Sequence, residues 1–264
     1  MFDLAALDTE LAGTVYAGKL HFAPVTGSTN TDAMAAARNG APHGSVFFAD
    51  EQRAGRGRGN HTWESAAGEG LYVSVLLRPA LLPVYLPLAP LAAGLAAADA
   101  IRTATGLDVD LRWPNDLLIG PRKTGGILVE AQSESNGVAF VVVGIGINVH
   151  QRRFDPELAT PATSLDLESG HVFGQRINRQ PLLVGLLKSL EREAVGLLDP
   201  AARASIPARV EAASSWVRGR RVEVHGPQQY TGTTEGLDEH GFLLVRTAER
   251  VVQVQTGGIR ESSF

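Results

Sequence analysis

The chain has 264 residues, 44% hydrophobic and 20% charged, with a formal net charge of -4 and no cysteine. That balance supports a globular protein with a sizeable core, either one large domain or a medium domain with a small one. It excludes disulfides, thiolate nucleophiles and thiolate zinc sites, and it argues against a chain that holds nucleic acid by bulk charge.

The opening stretch MFDLAALDTELAG has early acidic residues and no basic run, so it does not read as a secretory signal. The longest small-apolar run, LAPLAAGLAAADAIR, falls short of the ~18 residues of a membrane span and ends in charge. The expectation is a cytoplasmic chain with no membrane partner.

KLHFAPV (Lys19–Val25) reads as a strand. STNTDAMAAARNG follows as a helix: Ser28, Thr29 or Asn30 can cap its start, and Gly40 can end it. SVFFAD (Ser45–Asp50) and GLYVSVLLRP (Gly70–Pro79) are strands, so EQRAGRGRGNHTW joins two strands. PLAPLAAGLAAADAIRTATG predicts a helix with Leu88, Leu91, Leu95 and Ala98 on one face and Gly106 as its stop. VDLRWPND leads into LLI, GPRKTG and GILVEAQ, two strands joined at Gly120 and Pro121, with Lys123 in the turn. Pro114 is expected to hold Trp113 extended. NGVAFVVVGIGINV is a buried strand running into a glycine-spaced loop.

Residues 151–176 are polar and irregular. PLLVGLLKSLEREAVGLL is an amphipathic helix with Pro181 in its first turn. Pro207 is expected to interrupt the next helical stretch, which ends near Trp216. From Arg218 onward, RRVEV, QYTGTTEGL, GFLLVR and RVVQVQ are short strands between glycine turns, a small all-β module of SH3-like barrel size. The expected division is residues 1–217 and 218–264.

The segment GRGRGN (Gly55–Asn60) poses the first chemical question. A phosphate-binding P-loop needs a helix after its glycines, with amides facing the phosphate. Here a strand follows, so that mechanism is unavailable. If the loop holds an anion, Arg56 and Arg58 must supply the charge, helped by a nest of backbone amides. A plain surface loop remains the alternative from composition alone.

Three further clusters stand out. Ser28, Thr29 and Asn30 are helix caps, or short donors and acceptors suited to a small polar ring. Asn115 and Asp116 sit at a strand–loop junction. A hairpin could bring Lys123 near Asp116, and that pairing beside an arginine loop suits a phosphate–magnesium site. In GIGINV the glycines permit close backbone approach or mark a bulge, and Asn148 offers an amide that can read a base edge. The 7 histidines have no metal-ligand spacing, and no G-x-S-x-G elbow is present.

Taken in order, STN, EQRAGRGRGNHTW, GLYVSVLLRP, RWPNDLLI, KTGGILVE and GIGINV resemble the motif series of biotin protein ligases, over about residues 20–150. The end module resembles that family's C-terminal domain. The resemblance implies an α/β (α+β) catalytic domain with a mixed sheet and flanking helices, related to class II aminoacyl-tRNA synthetases, followed by an SH3-like domain. It implies a two-step reaction with ATP and biotin as substrates and Mg2+ present. The biotin carboxylate attacks the α-phosphate, and the resulting biotinyl-AMP acylates a lysine on the carrier domain of a biotin-dependent carboxylase.

By the same resemblance, Ser28, Thr29, Asn30 and Gln52 would wall the ureido ring. Arg56, Gly57, Arg58 and Lys123 would complete the biotin side, with Arg56, Arg58 and Lys123 as the catalytic cations. Trp63, Asn115, Gly146 and Asn148 would contact ATP, and Asp116 would be the carboxylate on the metal side. The glycine–arginine loop would order over the hydrolysable anhydride. Many family members carry a further basic residue after the second arginine, where Gly59 and Asn60 stand here. About 20 residues precede the first strand, which points to the monofunctional class without a DNA-binding domain. Pairing through sheet edges leaves a homodimer open.

The nearest rival is a lipoate or octanoate ligase of the same superfamily, which WPND and the arginine–glycine loop disfavour. A non-catalytic nucleic-acid-binding protein is disfavoured by the net negative charge.

Overall fold

The computed structural model describes residues 2–135, 137–170, 176–227 and 229–262, and for Asn60 the backbone alone. Helix α1 (Leu4–Glu10) comes first, its start capped by the Asp3 carboxylate, which accepts from the Ala6 N–H. Strand β1 (Leu20–Thr26) leads into α2 (Thr29–Arg38), then β2 (Ser45–Gln52) and β3 (Gly70–Leu77). Helix α3 (Leu88–Thr105) closes at Gly106, which adopts a left-handed φ of 74°. Then come β4 (Asp110–Arg112), β5 (Asp116–Ile119), β6 (Arg122–Glu134) and β7 (Gly137–Asn148). A short α4 (Leu165–Glu168) precedes α5 (Arg179–Leu198) and α6 (Pro200–Ala212). The last strands are β8 (Arg218–His225), β9 (Tyr230–Leu237), β10 (Leu243–Arg246), β11 (Val251–Val254) and β12 (Gly258–Glu261).

The first seven strands form one sheet in the order β1-β2-β3-β7-β6-β5-β4. Only β1 and β2 pair in parallel, so the sheet is mixed. Its two faces separate by the two-residue period of a strand. Leu71, Val73 and Val75 of β3, with Val141, Val143, Ile145 and Ile147 of β7, join a core shared with α3 and α5. The alternate residues face the other way. There Leu76, Phe140 and Val142 pack under Ala33 and Ala37 of α2. Beyond that helix the same face carries Tyr72, Ser74, Gly144, Gly146 and Asn148 and opens into a cleft.

The last five strands form an antiparallel sheet in the order β11-β10-β9-β8-β12. Val222, Val224, Leu243, Val245 and Ile259 extend the large core into it. Trp113 Nε1 donates to the Gly241 carbonyl at 3.0 Å, which ties the small sheet to the β4–β5 turn. Among the described residues no helix is long and apolar enough to cross a membrane.

Several local expectations need correction. Helix α6 runs through Pro207 rather than stopping there, and it ends at Ala212. Pro207 is buried against the core, and a missing N–H costs one helix bond that this packing outweighs. Trp113 lies in the β4–β5 turn rather than within a strand. It sits in a turn closed by Asn115 N–H to the Arg112 carbonyl at 3.2 Å, with a cis Trp113–Pro114 bond. Lys123 is the second residue of β6, not part of the turn. The segment after Val143 remains strand to Asn148, in unbroken register with β3, so GIGIN holds no loop and no bulge there. On α3, Leu95 and Ala98 are only half-buried, because the buried face centres on Leu88, Ala92, Ala96 and Ile101. Sequence reading also missed β12, whose short GIRE pairs with β8. Of the stretch expected to be irregular, residues 171–175 lie outside the described residues.

Candidate active site

A cleft of about 940 Å³ lies between the open face of the large sheet, the glycine–arginine segment and the β8 and β12 ends of the small sheet. The glycine–arginine segment is an ordered hairpin. Gln52 pairs with Ser65 and Arg56 with Thr62 in antiparallel bridges. Trp63 N–H bonds to the Gly55 carbonyl at 2.9 Å, and Gly57 N–H to the His61 carbonyl at 2.6 Å. Arg58–Asn60 form the tip, where Gly59 has a φ of 66° that a side-chain residue rarely adopts.

A continuous polar chain runs beneath this hairpin. Ser28 takes the N-cap position of α2 with an extended backbone, but its side chain makes no cap bond. Gln52 Oε1 accepts from Thr29 N–H at 2.8 Å, and Gln52 Nε2 donates to Ser65 Oγ at 2.8 Å. Ser74 Oγ lies 2.8 Å from Thr29 Oγ1 and 2.6 Å from Asn30 Oδ1. Asn30 Oδ1 needs a donor, so the Ser74 proton goes there, and the single Thr29 hydroxyl proton has two acceptors in reach, Ser74 Oγ and Gln52 Oε1 at 3.1 Å. Asn30 Nδ2 then donates to the Leu128 carbonyl at 3.2 Å and to Glu130 Oε2 at 2.9 Å. Glu130 receives Arg56 in a bidentate pair at 3.1 and 2.5 Å. Ser28, Thr29, Asn30 and Ser74 are all buried.

Two glycines make this arrangement possible. A Cβ on Gly144 would overlap Asn30 Oδ1, and a Cβ on Gly146 would lie 2.6 Å from Trp63 Nε1. Gly144 thus seats the Asn30 amide and Gly146 seats the indole. Trp63 also faces Lys123, whose Nζ is 5.4 Å from the ring centroid.

The cations converge from three elements. Lys123 Nζ is 2.5 Å from Asp116 Oδ1, and Arg112 Nη2 is 2.6 Å from Asp116 Oδ2. Burial pushes the Asp116 carboxyl up, but the charges and hydrogen bonds of Lys123 and Arg112 outweigh it and hold it below the usual carboxylate range. Arg58 Nη1 donates to the Gly257 carbonyl of the small sheet. Burial pushes its guanidinium down, against the pull of Asp116.

Of the residues expected on the ATP side, Trp63, Gly146, Asn148 and Asn115 all line the cleft. Asn148 Nδ2 donates to the Thr163 carbonyl at 3.0 Å, and its Oδ1 accepts from Gln151 at 3.3 Å. Asn115 Nδ2 donates to the Ile127 carbonyl at 2.8 Å, so it braces β6. The expected residues are therefore brought together, except that the Arg56 guanidinium is turned to Glu130. Sequence reading missed Ser74, Glu130, Arg112 and the Gly257 carbonyl. Ser74 had a signal, as the one polar residue of LYVSVLL. Glu130 closes the quoted KTGGILVE. Nothing local marked Gly257.

Residues 22–148 match the model of the Biotin/lipoate A/B protein ligase family, and residues 218–259 match the Biotin protein ligase C terminal domain. The chain is 36% identical over 241 residues to the biotin–[acetyl-CoA-carboxylase] ligase of Mycobacterium tuberculosis, covering 89% of this chain and 85% of that one. It is 34% identical over 259 residues to the bifunctional ligase/repressor BirA of Bacillus subtilis, covering 96% and 76% respectively. The structure of the biotin protein ligase of Aquifex aeolicus in complex with biotin and ATP superposes with a TM-score of 0.79 at 29% identity, covering 93% of this chain and 100% of that one. With this fold, this cleft and these relatives, the chain belongs to the biotin protein ligase family.

Proposed function

We propose that the chain is a biotin protein ligase that activates biotin with ATP and transfers it to a lysine of a carboxyl carrier protein. The observation that carries this reading is the polar chain from Gln52 through Thr29 and Ser74 to Asn30 beside the Lys123–Asp116–Arg112 cluster, in one cleft. A ureido ring presents one carbonyl and two N–H groups, and needs both acceptors and donors from its wall. Ser28, Thr29, Asn30 and Gln52 supply them. Attack of a carboxylate on a phosphate crowds two anions together, so fixed cations are required. Lys123 is suited to bridge the carboxylate and the α-phosphate as a charge. Arg58 and Arg56 join it from the hairpin, with Gly57 between them giving the backbone close approach.

ATP would lie along Trp63, Gly146 and Asn148, with Asn115 holding the β6 backbone behind them. Among the described residues no group of three His, Cys, Asp or Glu could hold a metal ion. Mg2+ would therefore be held chiefly by the phosphates of ATP, with Asp116 as the one carboxylate beside Lys123. There it would neutralise phosphate charge. The catalytic unit is read as residues 1–217, related to class II aminoacyl-tRNA synthetases. Residues 218–264 are read as an SH3-like module that closes one side of the cleft. The match to the biotin protein ligase C-terminal domain favours biotin over lipoate.

The test is ATP–pyrophosphate exchange by the purified chain. Exchange that requires biotin supports the reading. Exchange with lipoate and none with biotin overturns it.

A further inference from the structure

Arg56 lines the cleft, yet its guanidinium is turned to Glu130, a residue outside the cleft lining. The pairing is the bidentate fork that a guanidinium makes with any carboxylate, with Nη1–Oε1 at 3.1 Å and Nη2–Oε2 at 2.5 Å. It is partly exposed, with side-chain exposures of 43% and 27%. Pairs at such exposure are weak and exchangeable. Glu130 has a second bond, from Asn30 Nδ2 at 2.9 Å. Asn30 belongs to the chain that returns through Ser74, Thr29 and Gln52 to Ser65, on the far arm of the same hairpin. The hairpin is thus fastened at both ends to one hydrogen-bonded circuit, and Glu130 is the link nearest its first arginine.

We propose that Glu130 is a positioning residue that holds the Arg56 guanidinium and yields it to the carboxylate of biotin on binding. The proposal rests on the biotin reading above. The step is an exchange of ion-pair partners: no covalent bond forms or breaks, and one carboxylate replaces another on the same guanidinium. Glu130 keeps its bond from Asn30, so the wall of the pocket stays in place while the arginine moves. The negative charge of Glu130 competes with a charged ligand and is indifferent to a neutral one.

Titration calorimetry of biotin and of biotinol, in which a hydroxymethyl group replaces the carboxylate, tests this on wild type, Glu130→Gln, Arg56→Gln and the double variant. Glu130→Gln keeps one oxygen for Asn30 and removes the charge and the second acceptor that hold Arg56. It should bind biotin about two- to fivefold more tightly, bind biotinol as wild type does, and have no effect in the Arg56→Gln background. Unchanged or weakened biotin binding by Glu130→Gln, an equal shift for both ligands, or the same gain without Arg56 would overturn the exchange. Wild type that binds neither ligand would instead overturn the biotin reading itself.

Discussion

Asp116 Oδ1 and Lys123 Nζ meet at 2.5 Å across the β5–β6 hairpin, with Arg112 on the other carboxylate oxygen. The pair fixes a flexible four-carbon side chain at the floor of the cleft. Asp116, held ionised by its two cations, keeps Lys123 oriented toward Trp63 and the cleft.

Lys123→Ala should therefore lower adenylation by about 100-fold or more, the scale of losing one fixed charge at a phosphoryl transition state. The fold should survive, because Lys123 is partly exposed and Arg112 still pairs Asp116. Pyrophosphate exchange with circular dichroism checks both. Turnover at the wild-type rate removes Lys123 from the site.

Gly144→Ala and Gly146→Ala should separate the two substrates. The first drives a methyl group into Asn30 and should raise the KM for biotin; the second drives one into the Trp63 indole and should raise the KM for ATP. Each shift should be about tenfold, the equivalent of about 1.4 kcal/mol. Steady-state kinetics with each substrate varied in turn decides it, and equal shifts in both constants for both variants would contradict the division.

Ser74→Ala removes the donor to Asn30 Oδ1 from a site with no exposure. A buried acceptor left unpaired costs about 1–3 kcal/mol. Urea denaturation should show that loss together with weaker biotin binding. A loss near zero would mean that the circuit re-forms without Ser74.

His150 Nδ1 lies 2.8 Å from Asp166 Oδ2, both nearly buried, at the end of β7. Burial lowers the His150 pKa below its ordinary 6.5, and the hydrogen bond and charge of Asp166 only partly restore it. The unfolded chain then takes up a proton before the folded chain does. The contribution of His150 is complete above about pH 6.5 and declines as pH falls below it toward the lowered folded value. Melting of wild type and His150→Gln between about pH 5 and 8 should show the gap between them narrowing below pH 6.5. A gap independent of pH would contradict this.

The β-strands of the large sheet were legible because apolar residues alternate or run together, and helices α2, α3 and α5 because caps and breakers bracket them. Pro207 misled because a proline's local cost is set against burial that only tertiary packing reveals. GIRE was missed because four residues with two charges carry too little pattern, and its pairing with β8 is a long-range event. In the site, the quoted motifs contained the residues from Gln52 to Glu130 of the polar chain and the Lys123–Asp116–Arg112 cluster, but not the lining that residues 151–162, 225–227 and 257–260 supply. The partners of those residues were not legible: Glu130 with Arg56, and Gly257 with Arg58, are separated by 74 and 199 positions. Their meeting depends on register and on how the small sheet docks. The glycines of GIGIN were ambiguous alone and became specific once Asn30 and Trp63 were seen against them.

The most direct test of the account is biotin incorporation into a purified carboxyl carrier domain, followed by mass spectrometry of the intact carrier with ATP, biotin and lipoate supplied together. The account predicts one biotin on one carrier lysine, dependent on ATP and abolished by Lys123→Ala. Lipoyl modification in place of biotin, or an unmodified carrier with active wild-type chain, would contradict it.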